Sequence, residues 1–293
     1  ILPEVIAAIE QQKDTPSHDL IIVDDGSTDG TKEWLEKHTF SVPVTIIHQP
    51  NAGPASARNA AIAAAEGDYL ALIGDDTVPD LHWLKSHSDA HKKQLFDPAM
   101  IVVGKTMWHD AMKQTPFLNY LDTTGWQFAF DQIEDSNNLP FNYFYGSNVS
   151  LARSVVRNER FNTSFPYPAW EDSELGYRLV SAGCRLIYAE SALTAHLHIT
   201  TISRFAKRQR KAGYCAMVFN QLHPEVGALV WGNHIGDQAR VGDLFSAGRL
   251  YSAVLLDWFG ERSGWNFPKL WERALSDQYV RGIRDYLTAH TID

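Results

Sequence analysis

Aspartate pairs stand where strands of this sequence should end. In DYLALIGDDTVPD, residues 68–80, the apolar run from Tyr69 to Ile73 has the length and composition of a buried strand. It stops at Gly74, and Asp75 and Asp76 follow side by side. Adjacent carboxylates repel, so a metal ion, a nearby cation or water must compensate them. A hard divalent cation takes oxygen ligands and needs few from protein when phosphates supply the rest. Asp76 is placed for that job, and His196 or His198 could complete a Mn²⁺ shell. A second pair, Asp24 and Asp25, closes the strand DLIIV. These carboxylates could hold a nucleoside, because they accept hydrogen bonds from base N–H groups or ribose hydroxyls. Arg58 could neutralise phosphate or orient the base. Asp172, preceded by Glu171 at a helix start, could serve as general base for an incoming hydroxyl.

Each residue has a plainer role open to it. Asp24 and Asp25 before Gly26 suit simple turn chemistry. Glu171 and Asp172 suit a helix N-terminus through its dipole. His196 and His198 alternate, so on a strand they share one face and could be structural. Two aspartate pairs delivered to one sheet edge are what favour a site.

The elements that must position these residues read clearly in the first half. ILPEVIAAIEQQ is amphipathic, with Leu2, Val5, Ile6 and Ile9 at helical spacing. The strand DLIIV, the helix after GSTDG, the strand VPVTIIHQ, the alanine-rich helix in NAGPASARNAAIAAAEG and the strand before Gly74 then alternate. This β-α-β-α-β order with short connections predicts a parallel sheet covered by helices on both faces. Ligands of such sheets bind outside the carboxyl ends of the strands. MIVVGKTMW and RLIYAE read as further strands, and FNYFYGSNVSLARS as a strand or hairpin entering a short helix. Residues 110–139 are polar and aromatic with weak periodicity, which predicts a mobile loop or an acceptor-side insertion. From about Ile202 the pattern is helical to the end, including 225–260 and 268–287. One helix face carries Arg204, Lys207, Arg208 and Lys211, which reads as a solvated surface.

Composition excludes several classes. The 293 residues carry a formal charge of −9, which argues against a protein built to hold nucleic acid. No run of about 18 apolar residues is present, and residues 1–12 lack the basic start of a signal peptide. Cys184 and Cys215 have no metal-type spacing, so a reduced, cytoplasmic setting is expected.

Taken in order, IIVDDGSTDGT, NAGPASARNAAIAAAEGDYLALIGDDTVPD, YGSNVSLARS, WEDSELGYRLVSAG and AHLHIT resemble the motifs of the family 2 glycosyltransferases. The resemblance covers roughly residues 1–200 and implies an α/β fold of GT-A type. That is a Rossmann-like mixed sheet flanked by helices, here with a helical C-terminal appendage. It implies a nucleotide-sugar-binding catalytic domain over 1–201 and a helical region over 202–293. By the same resemblance Asp24 and Asp25 contact the base and ribose of the donor, and Arg58 lies near the nucleotide. Asp75 faces the ribose or sugar, and Asp76 coordinates a divalent metal, Mn²⁺ or Mg²⁺, on the diphosphate. His196 is the better match to a late metal-ligand histidine, with His198 second. Gly146, Ser147 and Asn148 line the sugar and acceptor side, and Asp172, with Glu171 beside it, is the catalytic base. The implied donor is a UDP-sugar, with GDP- and dTDP-sugars also compatible. The implied acceptor is a glycan, glycolipid or protein hydroxyl, in polysaccharide synthesis at the inner face of a membrane. The basic helix and aromatic tail could meet an anionic membrane peripherally.

Two departures from that pattern stand out. Gly74 occupies the place of the first aspartate of the metal motif. The chain also starts inside the first helix, so the resemblance implies a first strand lying outside this sequence. A degenerate nucleotide- or glycan-binding module and a nucleotidyltransferase are the competing expectations.

Overall fold

A computed structural model describes residues 1–112, 115–198, 200–226, 246–263 and 266–290. Part of the helical reading over 225–260, residues 227–245, lies outside the described residues. The chain forms two compact units. The first comprises Ile1–Met112, Phe130–Thr163 and Glu171–His198. The second comprises the described residues of Lys113–Ala129, Ser164–Trp170 and Ile199–Asp293.

The first unit begins with helix α1 (Leu2–Glu10), whose Val5, Ile6 and Ile9 are buried as their spacing predicts. Strand β1 (Leu20–Asp24), α2 (Thr31–Lys37), β2 (Val44–His48), α3 (Pro54–Ala64) and β3 (Tyr69–Ile73) follow in the order read from the sequence. β1 and β2 pair in parallel from Leu20 opposite Val44 to Asp24 opposite His48. The parallel expectation stops there. β3 pairs antiparallel with β6 (Asn148–Ala152), which is entered from Gly146 and Ser147. The periodicity of one strand carries no information about a partner some 80 residues away, so local alternation alone gave the wrong neighbour.

The larger sheet runs β3-β6-β5-β7-β4, with β4 at Thr77–Pro79, β5 at Met100–Trp108 and β7 at Arg185–His196. Only β5 and β7 run parallel among its pairs, which makes the sheet mixed. Met100, Ile101, Val102 and Val103 of β5 are fully buried, the continuous apolar pattern of a central strand. α4 (Trp83–Lys93) lies against β5 and β7 and buries Trp83, His87 and His91. β4 and the end of β7 pair so that Thr77 faces His196. That pairing sets the floor of the site.

Segment 110–139, expected as a mobile loop or an acceptor-side insertion, contains helix α5 (Pro116–Thr124), capped by the Thr115 hydroxyl accepting from Leu118 N. α5 belongs to the second unit, with α8 (Ile202–Leu222), α9 (Ser246–Ser263) and α10 (Pro268–His290). Phe117 packs edge-on against Phe205 and Trp271, giving this unit an aromatic core. Two members of the basic α8 face are engaged within the unit. Arg208 lies over Phe205 and donates to Gln127, and the Lys211 ammonium sits 5.3 Å from the Tyr167 ring centre. No helix among the described residues is long and apolar enough to cross a membrane.

Candidate active site

The first unit gathers Asp76, His196 and His198 at the ends of β3 and β7. Their ligand atoms all lie within 4.8 Å of one another. His196 Nε2 is 3.1 Å from Asp76 Oδ2, and His198 Nδ1 is 3.5 Å from the same oxygen. The backbone holds them there: Leu197 N donates to Asp76 O at 2.7 Å. The Asp76 Oδ1 accepts the Thr77 hydroxyl at 3.2 Å, and the His196 ring stacks on Trp108, its partner across the β5–β7 ladder. Burial works to raise the Asp76 carboxyl, but the bonds and charges of the two imidazoles overcome it and hold the group well below the usual carboxylate range. One carboxylate and two imidazoles fit a divalent cation whose remaining positions are filled by phosphate oxygens or water.

Asp75 is exposed and is not part of that cluster. The protein packed behind it strips part of its water and raises its carboxyl, and the neighbouring Asp76 charge adds to the rise. Gly74 now has a steric reason. A Cβ there would lie 2.7 Å from the Thr77 hydroxyl and 3.1 Å from Asp76 Oδ1. A third carboxylate would displace the group that orients Asp76.

A continuous path of contacts leads from this strand end to the Glu171–Asp172 turn. Gly74 N donates to Ser147 O at 3.2 Å. A Cβ on Gly146 would come 3.2 Å from the Arg58 guanidinium carbon, so glycine lets Arg58 cross that backbone. Arg58 lies over the Phe161 ring and donates from Nη1 to Glu171 Oε1 at 3.1 Å. The chain enters α7 (Glu171–Ser181) through Trp170, whose φ of 70° is a left-handed conformation strained for a bulky residue. Asp172 is half-buried in the first turn, and its Oδ1 accepts Ser173 N at 2.8 Å.

Glu171 differs from Asp172. It is 5% exposed, and its Oε2 is buried without a partner. Burial, with the Asp172 charge adding and Arg58 opposing, pushes its carboxyl up to about 7. A protonated Glu171 favours folding, so its contribution is complete below its ordinary pH of 4.5 and is lost as pH rises through about 7. Relative to Glu171→Gln, the wild type is expected to lose stability across that window; chemical denaturation between pH 4.5 and 8 checks this.

The other predicted donor contacts are placed differently. Asp24 is buried, accepting Ser27 N at 3.0 Å and pairing with His48 at 2.9 Å. Burial works to raise this carboxyl, and those bonds outweigh it and lower it. Asp24 therefore ties the β1 and β2 ends together. Asp25 remains half-exposed beside it and accepts Gln49 Nε2, Ala52 N and Gly53 N, ordering the loop into α3. Asn148 requires a correction. Its side chain is wholly buried and bonds Trp83, His87, Lys105 O, Ala192 O and Thr194, so it lies beneath the site. Gly146 is buried against Arg58, and Ser147 is half-buried with its carbonyl accepting Gly74 N. Sequence reasoning missed Trp108, Thr77 and Phe161, which orient His196, Asp76 and Arg58. Thr77 was adjacent to a singled-out residue; the other two carried no local signal.

Residues 1–158 match the family model described as glycosyl transferase family 2. A chondroitin synthase of Escherichia coli is 25% identical over 227 residues, covering 67% of this chain and 32% of that protein. A pre-mycofactocin glycosyltransferase of Mycobacterium tuberculosis is 27% identical over 211 residues, covering 70% of this chain and 43% of that protein. The chain thus spans less than half the length of either relative. Among solved structures, S. aureus TarS 1–349 is similar with a TM-score of 0.53 at 15% identity, covering 99% of this chain and 88% of that one. The mannosyltransferase PcManGT from Pyrobaculum calidifontis, solved with GDP-Man and Mn²⁺, gives 0.59 at 17% identity, covering all of this chain and 84% of that one. At these identities the two structures speak for the fold, which is of GT-A type. With more than half of its length inside the family match, the chain belongs to glycosyl transferase family 2.

Proposed function

We propose that this chain transfers a sugar, with inversion, from a nucleotide-diphosphate sugar to an acceptor hydroxyl of a glycan, glycolipid or protein. The observation that carries the reading is the Asp76–His196–His198 cluster, joined through Ser147, Gly146 and Arg58 to the Glu171–Asp172 turn. Such a cluster suits a diphosphate carried on a cation, and a carboxylate turn beside it suits activation of a hydroxyl. Family membership and a relative named as a glycosyltransferase support the sugar-transfer part of this reading. Gly74, the sequence feature that favoured a binding-only module, is accounted for by the space Thr77 needs.

In this reading Asp25 accepts from the base, Asp75 accepts from ribose or sugar hydroxyls, and Arg58 offsets charge near the diphosphate. Asp76 and His196, with His198 beside them, would hold a divalent cation. When bound there, such a cation would supply Lewis-acid stabilisation of negative charge on the diphosphate. Asp172 takes the acceptor hydroxyl proton on its second oxygen while Oδ1 stays anchored to Ser173 N. The acceptor oxygen bonds to the anomeric carbon from the face opposite the leaving group. The bond to the diphosphate oxygen breaks, and its electron pair leaves with the nucleotide. Glu171, held by Arg58, keeps the turn in register.

The test supplies UDP-, GDP- and dTDP-sugars with a mixture of acceptor saccharides and follows nucleoside diphosphate release. Release that needs a divalent cation and stops with chelator supports the proposal. No release from any donor contradicts it.

A further inference from the structure

The Glu171–Asp172 turn begins where the chain changes unit. Ser164–Trp170 belongs to the second unit and Glu171 to the first, so the chain crosses at the Trp170–Glu171 peptide bond. The backbone is strained at that point, with the Trp170 φ at 70°. A bulky residue keeps this left-handed conformation only where its surroundings hold it.

One face of α8 supplies the hold. Lys211, Tyr214, Cys215 and Phe219 recur there at helical spacing. The Lys211 ammonium lies over the Tyr167 ring, and Tyr214 meets that ring edge-on. The Cys215 thiol donates to Tyr167 O at 3.7 Å, and the Trp170 ring packs on Phe219 with centres 5.3 Å apart. The Trp170 indole N–H, which can only donate, bonds to the Tyr279 hydroxyl of α10. Tyr279 has little room to shift. A Cβ on Gly213 would collide with Tyr279 O, and one on Gly282 with Arg210 O, so α8 and α10 meet backbone to backbone beside it.

On the other side of the peptide bond, Arg58 holds Glu171 at 3.1 Å. The bond from Ser173 N to Asp172 Oδ1 lies inside the first turn of α7 and moves with it, so it does not fix where the turn lies. We propose that Trp170 is a positioning residue: anchored on α8 and α10, it sets the entry of the chain into α7 and so the place of the Asp172 carboxylate. The inference rests on the reading of Asp172 as the base and deepens it by naming what aims that base. It also gives the second unit a part in the reaction, although the residues assigned to donor and metal all belong to the first. A misplacement of about 1 Å at a reacting group costs on the order of 10²-fold in rate.

The experiment uses the full chain and the nucleoside diphosphate release assay, with the donor sugar and acceptor saccharide that give release. Trp170→Gly suits a φ of 70° and removes only the anchor. Its kcat is expected to fall roughly 10- to 100-fold with donor KM nearly unchanged. Trp170→Phe keeps a ring against Phe219 and is expected to recover part of that loss. Trp170→Gly combined with Asp172→Asn is expected to cost no more than Asp172→Asn alone, because one residue acts through the other. A wild-type kcat in Trp170→Gly, a change confined to donor KM, or losses that multiply in the double variant would overturn the inference. If Trp170→Gly loses the wild-type circular dichroism spectrum, Tyr279→Phe carries the test, since it removes the acceptor of the indole N–H. A lowered kcat at unchanged donor KM then supports the inference, and an unchanged kcat overturns it. An inactive Asp172→Asn beside a fully active Trp170→Gly overturns the positioning role alone. Wild-type turnover in Asp172→Asn contradicts the base reading, and the inference falls with it.

Discussion

Asp172→Asn is expected to leave donor affinity unchanged and to lower kcat by roughly 10²–10⁴-fold, the usual worth of a positioned general base. The substitution keeps the shape of the side chain. Its amide oxygen can still accept Ser173 N as Asp172 Oδ1 does at 2.8 Å, so the start of α7 should be undisturbed. What it loses is the ability to take a proton. Glu171 cannot substitute, because it is buried and one of its oxygens is committed to Arg58 at 3.1 Å. Calorimetry with nucleotide and steady-state kinetics check the two halves separately. An unchanged kcat would remove Asp172 from the base role.

The second large effect concerns folding. Asn148→Ala is expected to destabilise the first unit by more than about 4 kcal/mol, in the range reserved for broken buried networks. The Asn148 amide donates to Lys105 O at 2.9 Å, to Ala192 O at 3.0 Å and to Thr194 at 3.1 Å, and its oxygen accepts from Trp83 at 2.8 Å. These partners come from β5, β7 and α4 and meet where the β5–β7 register slips after Gly104. Truncation leaves several buried donors and acceptors unpaired, each costing about 1–3 kcal/mol. Urea denaturation followed by circular dichroism measures the loss. A variant as stable as wild type, with weakened donor binding, would return Asn148 to the cleft.

Asn148 also shows where the sequence stopped informing. Its motif marked the position, but position within a motif does not say whether a side chain faces a ligand or the core. Two neighbouring strands and a helix decide that, and the contacts span from 43 to 65 residues. The Arg58–Glu171 pair, separated by 113 residues, is invisible for the same reason. Helices and strands of the first 80 residues were legible because burial follows period there: Val5, Ile6 and Ile9 face inward at helical spacing. The pairing of β3 with β6 was not legible, since apolar strands of similar length accept many partners. The alternation of His196 and His198 predicts a shared strand face, and β7 ends at His196. Their convergence on Asp76 depends on β4 pairing with the end of β7, a three-residue ladder that no periodicity announces.

In the proposed function, the β3 strand end binds a nucleotide donor through a cation held by Asp76. Calorimetric titration of UDP, GDP and dTDP into wild type and Asp76→Ala, each with Mn²⁺ and with chelator, tests it most directly. At least one nucleotide is expected to bind the wild type tightly only with Mn²⁺, and Asp76→Ala is expected to lose this metal response. No nucleotide binding with Mn²⁺ present, or an unaltered Mn²⁺ response in Asp76→Ala, would contradict it.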